Sequence, residues 1–192
     1  MRITVFGLGT IGSNLIIQLL RQYPDFEFTG VDYDKVEERN IRIQAYYREQ
    51  VRQYKAKAIQ VIGQRYVRQF KYIPNTSKIE SPILPPKGDD LYIDCFDNVK
   101  GRICLTPPGD FNILHLGFSP EYTAEFIWNR LYYDVPGEVN PVNADICALH
   151  DAVSFIHSFV NLAFAHIAEF IENRQRDKSF LITGKLKPPM YL

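Results

Sequence analysis

The chain has 192 residues, 46% of them hydrophobic, and its 22 basic and 22 acidic side chains cancel. That length suits a single domain, 1–192, with a full core, and the balanced charge argues against nucleic acid as a partner. No apolar run approaches the roughly twenty residues that span a bilayer and no leader pattern is present, so we expect a cytoplasmic protein without a membrane partner. The odd number of cysteines, 3, fits reduced thiols.

A glycine-rich turn follows the first predicted strand, residues 3–6, and precedes a helical pattern at 13–21. Its first glycine can adopt the positive φ of a tight turn, its second lets a phosphate approach the backbone, and its third lets the helix pack closely on the strand. The start of the helix offers unpaired N–H groups and the positive end of its dipole to an anion. The nucleotide contacts predicted in this turn are Gly7, Gly9, Thr10, Ile11 and Gly12.

The second predicted strand, residues 26–31, ends at Asp32. This acid lies about twenty residues beyond the turn, where nucleotide-binding sheets of this kind place the carboxylate that binds the ribose hydroxyls. The turn, its flanking elements and this acid together predict nucleotide binding. The alternative is a glycine turn in a doubly wound sheet that holds no ligand.

Strands and helices alternate through the first half of the chain, a pattern typical of a parallel sheet with crossover helices. After residue 32 the sequence predicts an irregular or partly helical segment at 33–54, a helix at 55–69, a strand at 70–73, a proline-rich surface loop at 74–90 and a buried strand at 91–95. Past residue 100, two aromatic runs at 111–118 and 122–128 are typical of antiparallel strands. The pattern continues with a loop at 134–142, a helix at 146–171 and a strand at 179–183.

The helix at 146–171 is apolar nearly all round, which places it in the core or at a subunit interface. Isologous pairing of two copies would hide its excess apolar surface, so we expect a homodimer. The predicted fold is α/β, a Rossmann-like doubly wound sheet that is parallel in its first half and has antiparallel strands in its C-terminal half.

Two further motifs follow the glycine turn. The first comprises Asp-Tyr-Asp-Lys-Val at 32–36, Asn40, Gln44 and Tyr-Lys-Ala-Lys-Ala at 54–58, and the second comprises Asp-Cys-Phe-Asp-Asn at 94–98 with Arg102. The order and spacing of all three motifs, over residues 3–102, resemble the ubiquitin-activating-enzyme-like superfamily (ThiF/MoeB/HesA). The resemblance implies that the chain is a single ThiF-like, ATP-binding adenylation domain.

The resemblance also implies a reaction. Enzymes of this family bind ATP and magnesium and let a carboxylate attack the α-phosphate, which yields an acyl-adenylate and pyrophosphate. The carboxylate is usually the C-terminal glycine of a ubiquitin-like or sulfur-carrier protein, and another peptide carboxylate is the alternative partner. Positive charge and a positioned metal are needed because negative charge concentrates at the phosphates in the transition state.

The family's site residues carry over by position. Lys55 matches the phosphate-contacting lysine, Asp97 matches the aspartate placed near the magnesium ion and the α-phosphate, and Asp32 matches the ribose-binding acid. Asn40 and Gln44 match polar residues that flank the phosphates. The matched motifs also contain Asp34, Asn98, which suits a helix cap as well, and Arg102, whose expected role is structural.

Several positions depart from the family pattern. Ile43 occupies the place of a phosphate-binding arginine, and Arg42, one residue earlier, is our candidate catalytic substitute. The glycine before Lys55 is replaced by Tyr54. Paired zinc-binding cysteines are missing, and we expect neither an N-terminal extension nor an appended conjugation domain. These departures leave open a non-catalytic relative that binds nucleotide or protein without turnover; a dinucleotide-binding oxidoreductase is a second alternative.

Three other features have ordinary explanations beside functional ones. Cys147, with His150 three residues on, is a candidate thiol for a thioester or persulfide, although a structural cysteine is far commoner at a helix start. Eight basic residues between 42 and 73 accompany a single acid, Glu49, and this excess belongs either to a triphosphate site or to a solvated surface. The histidines expected to serve only in packing are His115, His157 and His166.

Overall fold

The computed structural model describes residues 1–118, 123–128, 152–176 and 180–182. The strands in these ranges are β1 (Arg2–Phe6), β2 (Glu27–Val31), β3 (Lys71–Asn75), β4 (Leu91–Asp94), β5 (Ile113–Phe118), β6 (Ala124–Trp128) and β7 (Phe180–Ile182). The α-helices are α1 (Thr10–Gln22), α2 (Lys55–Tyr66), α3 (Val99–Ile103) and α4 (Ala152–Asn173). Two short 3₁₀ turns, Glu38–Asn40 and Arg48–Gln50, lie in the segment predicted to be irregular or partly helical.

These strands form one sheet in the order β3-β2-β1-β4-β5-β6-β7. The neighbours from β3 to β5 pair in parallel, whereas β6 and β7 are antiparallel. The predicted fold class is therefore confirmed. Because the strand order reverses between β1 and β4, a crevice opens beside the carboxyl ends of these two strands, the usual place for a ligand in such sheets.

Alternating side chains of the strands point to two apolar clusters. Ile3 and Val5 of β1 join the large cluster, in which α1 and α4 pack together against the sheet. Phe6, the next residue along β1, belongs to a smaller cluster with Val31 and Leu105. This alternation of side chains places apolar cover on both faces of the sheet, as expected for a doubly wound fold.

Helix α4 is the one helix in the described ranges that is long and apolar enough to cross a membrane, by length and composition alone. It has 22 residues, its most apolar stretch has a mean hydropathy of 1.3, and 44% of that stretch is buried. The expectation that no segment reaches this length is therefore wrong. The helix packs against α1 and the sheet, and a core helix of a soluble protein has the same composition.

The main boundary differences surround α2 and β3. Helix α2 ends at Tyr66, three residues earlier than predicted, because the backbone of Val67 turns to an extended conformation. The ring of Phe70 then folds back against Gly63, where a Cβ would lie 2.8 Å from the ring edge. Strand β3 starts at Lys71 and continues through Pro74, a residue that we assigned to the following loop. The predicted loop at 134–142 lies outside the described residues.

Candidate functional site

A pocket lies at the carboxyl ends of β1, β2, β4 and β5, beside the reversal in strand order. The loops after β1, β2 and β4, the first residues of α1 and α2, and the end of β5 line it. It brings together most of the residues that the sequence predicted for a nucleotide site. Those that line it are Gly7, Gly9, Thr10, Ile11, Asp32, Asp34, Gln44, Lys55, Asp97 and Asn98.

The glycine turn has the geometry that its sequence indicates. Gly7 has a φ of 82°, and a Cβ there would lie 2.8 Å from the carbonyl oxygen of Cys95. A Cβ on Gly12 would collide with the carbonyl oxygen of Gly7, so this glycine permits the close packing of α1 on the turn without lining the pocket. A Cβ on Gly9, in contrast, would meet nothing within 4 Å. Gly9 therefore leaves space on the pocket side of the turn.

The N-terminus of α1 begins directly at the pocket. Gly9 is its N-cap and supplies no side-chain hydrogen bond. The first turn of α1 also carries no acidic side chain. The backbone N–H groups of this turn have no partners within the helix, and the positive end of the helix dipole adds to their attraction for an anion.

Asp32 is buried at the end of β2, with 7% of its surface exposed. Its Oδ2 accepts a hydrogen bond from the Leu8 N–H at 2.7 Å, and its Oδ1 accepts one from the Asp34 N–H at 2.8 Å. Burial raises the pKa of Asp32, and the nearby charge of Lys55 opposes that rise. Each carboxylate oxygen keeps a further lone pair that can accept from a ligand hydroxyl.

Lys55 is the first residue of α2 and is 8% exposed. Its Nζ lies 3.3 Å from Asp34 Oδ2, so the ammonium group is held at the pocket wall by an acid at the rim. Lys57, two residues along the same helix, is exposed with its Nζ 5.8 Å from the centre of the Tyr54 ring. Among the eight basic residues between 42 and 73, Lys55 alone contributes to the lining of the described pocket. The others form a solvated surface.

The loop after β4 carries Asp97 and Asn98. Asn98 Oδ1 accepts a hydrogen bond from the Gly101 N–H at 2.8 Å and so caps α3. Asn98 Nδ2 lies 3.3 Å from an oxygen of Asp97, whose carboxylate is exposed at the pocket. Below this loop, Asp94 Oδ1 accepts from the Phe96 N–H at 3.0 Å.

His115 does more than pack in the core as predicted, because its side chain pairs with the acidic side chain of Asp94. His115 Nδ1 lies 2.8 Å from Asp94 Oδ2, and both side chains are buried. The two residues are directly paired in the register between β4 and β5. No sequence spacing reports such a pair, since only the strand register brings the two residues together.

Besides Gly12, two predicted site residues, Asn40 and Arg42, lie away from the pocket lining, as does Ile43 at the expected arginine position. Asn40 is buried, and its Oδ1 accepts a hydrogen bond from the Glu37 N–H at 2.9 Å within a 3₁₀ turn. Ile43 is a core residue, 2% exposed. Arg42 is exposed and outside the pocket lining, so its role on the phosphates stays a prediction. The candidate thiol, Cys147, lies outside the described residues.

Other residues of the pocket were not predicted as contacts. Arg102, expected to be structural, lines the pocket while its Nε donates to the Phe96 carbonyl at 2.7 Å and its guanidinium pairs with Glu125. The convergence of parallel strand ends is the signal that could have identified the end of β5. The further lining residues are Tyr33, Cys95, Phe96, Leu116, Gly117 and Phe118.

The arrangement suits a nucleotide with phosphates. Gly9 leaves space for a phosphate, and Lys55 supplies a positive charge. The buried Oε1 atom of Gln44 has no hydrogen-bond partner and can accept from an N–H or O–H group of a ligand. Within the described ranges, no group of three or more histidine, cysteine or acidic side chains is placed to hold a metal. This is compatible with magnesium, because proteins often bind it through one or two carboxylates together with substrate phosphates. The carboxylates that line the pocket are those of Asp32, Asp34 and Asp97.

Comparison with known proteins identifies the fold. Escherichia coli MccB with succinimide superposes with a TM-score of 0.70 at 16% identity, covering 96% of this chain and 60% of MccB. MccB with ATP superposes with a TM-score of 0.69 at 16% identity, covering 95% of this chain and 60% of MccB. PaaA superposes with a TM-score of 0.68 at 13% identity, covering 96% of this chain and 61% of PaaA. This chain has the MccB fold. It spans about 60% of the length of the MccB chains that it matches.

MccB and PaaA share with this chain a Rossmann-type α/β architecture that combines parallel strands with antiparallel ones. No protein-family description and no curated protein matches the sequence. At identities of 13% to 16%, the likeness establishes the architecture.

Proposed function

We propose that the protein is an ATP-dependent adenylyltransferase that activates the carboxylate of a peptide or protein. One observation carries the proposal: a buried carboxylate, a buried lysine and an uncapped helix N-terminus converge on one pocket where the strand order reverses. Solved relatives support it, because MccB has been crystallised with ATP and with MccA. A C-terminal glycine on a ubiquitin-like or sulfur-carrier protein is the finer form of the proposal.

Each group has a defined task in this proposal. Asp32 accepts the ribose hydroxyls, and the first amides of α1 with Lys55 bind phosphate oxygens. Asp97 holds magnesium, which neutralises charge on the phosphates. A carboxylate oxygen of the substrate forms a bond to the α-phosphorus while the bond to pyrophosphate breaks. The protein contributes chiefly by orientation and by charge placed in advance.

Calorimetric titration with ATP, with ATP plus magnesium, and with NAD tests the nucleotide. Magnesium should tighten the binding of ATP, because a metal ion held by Asp97 would neutralise charge on the phosphates, and it should have little effect on NAD. Metal-independent preference for NAD would support the oxidoreductase instead. Pyrophosphate exchange in the presence of a glycine-terminated carrier protein or peptide then tests catalysis, with the same peptide amidated at its C-terminus as the control.

The second candidate is a relative that binds a nucleotide or protein without turnover. The observation in its favour is Ile43, which fills the family's arginine position with a core side chain that can supply no charge. ATP binding without exchange, together with unchanged affinity in Arg42→Ala, would favour this candidate. Exchange that depends on Arg42 would show that the neighbouring arginine reaches the phosphates.

A further inference from the structure

Two side chains hold the backbone of Leu8 inside the glycine turn. The Leu8 N–H donates to Asp32 Oδ2 at 2.7 Å, and the Leu8 carbonyl oxygen accepts from the Tyr46 hydroxyl at 2.7 Å. Both bonds are buried. The first bond fixes the peptide group between Gly7 and Leu8, and the second fixes the peptide group between Leu8 and Gly9.

The second peptide group determines where the Gly9 N–H points. A trans peptide is planar, so its N–H points opposite to its carbonyl. The Leu8 carbonyl is directed at the buried Tyr46 hydroxyl, and the Gly9 N–H is therefore directed away from Tyr46. Gly9 lines the pocket and has an open side there. Since glycine itself restrains this peptide weakly, its orientation depends on the partner of the carbonyl.

Tyr46 is firmly anchored. It is 2% exposed, and burial raises the pKa of its hydroxyl well above the ordinary range, which keeps the hydroxyl protonated as a donor. The residues before it are bonded to α1: Asn14 Nδ2 donates to the Ile43 carbonyl at 2.9 Å, and the Ala45 N–H donates to Ser13 Oγ at 3.1 Å. The segment that carries Tyr46 is thus joined to the helix that starts at the glycine turn.

We propose that Tyr46 is a positioning residue for anion binding. By holding the Leu8 carbonyl, it keeps the Gly9 N–H turned to the pocket before a ligand arrives, so that no reorganisation of the turn is needed on binding. The inference rests on the proposed nucleotide function. It extends the site to a tyrosine that does not line the pocket.

A matched pair of variants tests it. Tyr46→Phe removes the hydroxyl that holds Leu8, and Tyr72→Phe removes a neighbouring buried hydroxyl that donates to the Ala56 carbonyl of α2 at 2.9 Å and not to Leu8. The backbone order of Gly9 is measured by ¹⁵N relaxation without ligand, the affinity for magnesium ATP by calorimetry, and the stability by thermal melting. The stability readout is needed because each variant loses one buried hydrogen bond.

We expect Tyr46→Phe to lower the Gly9 order parameter from about 0.85 towards about 0.6. It should also weaken ATP binding about fivefold, the equivalent of one hydrogen bond. Tyr72→Phe should change neither the Gly9 order parameter nor the affinity for ATP, even if it lowers the melting temperature as much as Tyr46→Phe does. Equal losses of affinity for ATP in the two variants, or an unchanged Gly9 order parameter in Tyr46→Phe, would overturn the inference. If the wild-type chain binds no ATP, the proposed function fails, and the Gly9 relaxation still decides the role of Tyr46.

Discussion

Lys55 and Lys57 lie two residues apart on α2, but of these two lysines only Lys55 lines the pocket. Lys55 is buried at the pocket, while Lys57 is exposed beside Tyr54. Lys55→Ala should abolish pyrophosphate exchange, since it removes the buried positive charge at the proposed phosphate site. Asp97→Ala should do the same, since it removes the proposed magnesium ligand. Both variants should keep the circular dichroism of the wild type. Lys57→Ala is the control, and equal loss in this variant would contradict the assignment to Lys55.

Asp32 predicts a pH dependence. Its pKa lies above the ordinary 3.8, chiefly because burial disfavours the charged form. Adenosine, which has no phosphates to titrate, should therefore bind more tightly as the pH rises through the raised pKa and should reach a plateau above it. Calorimetry from about pH 4 to about pH 7 measures this. A flat profile would argue that Asp32 does not bind the ribose.

Ionisation of Asp32 should change the stability of the fold in the opposite direction to its effect on adenosine binding. Between 3.8 and the raised pKa, the folded chain holds a proton on Asp32 that the unfolded chain has lost. The contribution of Asp32 to the free energy of unfolding therefore falls as the pH rises through this interval. Ionising this carboxylate favours ligand binding and costs stability, a relation common at functional sites.

Single residues also show how far the sequence could predict the site. Gly7 and Gly12 were predictable because their roles depend on neighbours in the chain and on the conformational freedom of glycine. The role of Asn40 was not predictable, because a side-chain amide that could bind a phosphate can equally well form a hydrogen bond within a local 3₁₀ turn. The pairing of His115 with Asp94 depends on strand register, which no local spacing encodes.

At the scale of elements, the parallel pairing of the first strands was predictable from the alternation of strands and helices, whereas the end of α2 was not. Neither glycine nor proline lies between Tyr66 and Phe70, so the residues that most often end a helix are missing. Tertiary packing of Phe70 on Gly63 replaces them. Propensity and periodicity predict the start of such a helix better than an end that depends on side-chain packing.

Strand β3 lies at one edge of the sheet, and Pro74 protects that edge. The Asp32 N–H donates to the Asn75 carbonyl at 3.0 Å, so the backbone groups of Asn75 face β2. Because backbone groups alternate along a strand, those of Pro74 face outward, where its missing N–H removes a donor that another chain would use. This explains why a proline is tolerated in the strand.

Pro74→Val should therefore promote self-association through β3, helped by Ile73, which is 50% exposed. The variant should change the free energy of unfolding by no more than about 1 kcal/mol, because the outward N–H makes no bond within the sheet. Light scattering at increasing protein concentration should show larger particles than the wild type gives. Pro82→Val, in the exposed loop after β3, is the control. Equal scattering from both variants would mean that the edge is protected by other features.

At the scale of the whole molecule, α4 has one buried side and one exposed side, and the exposed side is the reason to expect a homodimer. Its nine buried residues are covered within one chain, by the sheet and by α1. Its other side is exposed, and residues 152–168 contain no aspartate, glutamate, lysine or arginine. Surfaces that meet water usually carry such charges, and the centres of protein interfaces lack them. The exposed side of α4 around Leu162, which is 38% exposed, is thus the surface on which we expect two copies to pair.

Leu162→Arg tests this expectation. Wild-type protein at micromolar concentration should sediment at twice the 22.3 kDa of one chain, because isologous pairing would bury the uncharged face of α4. The substitution places two buried charges against each other across a two-fold axis, so the variant should sediment as a monomer and keep its circular dichroism. Lys57→Ala, distant from α4 in the sequence and exposed, should remain dimeric. A wild-type monomer would defeat the prediction, and a dimer that persists in Leu162→Arg would place the interface elsewhere on the molecule.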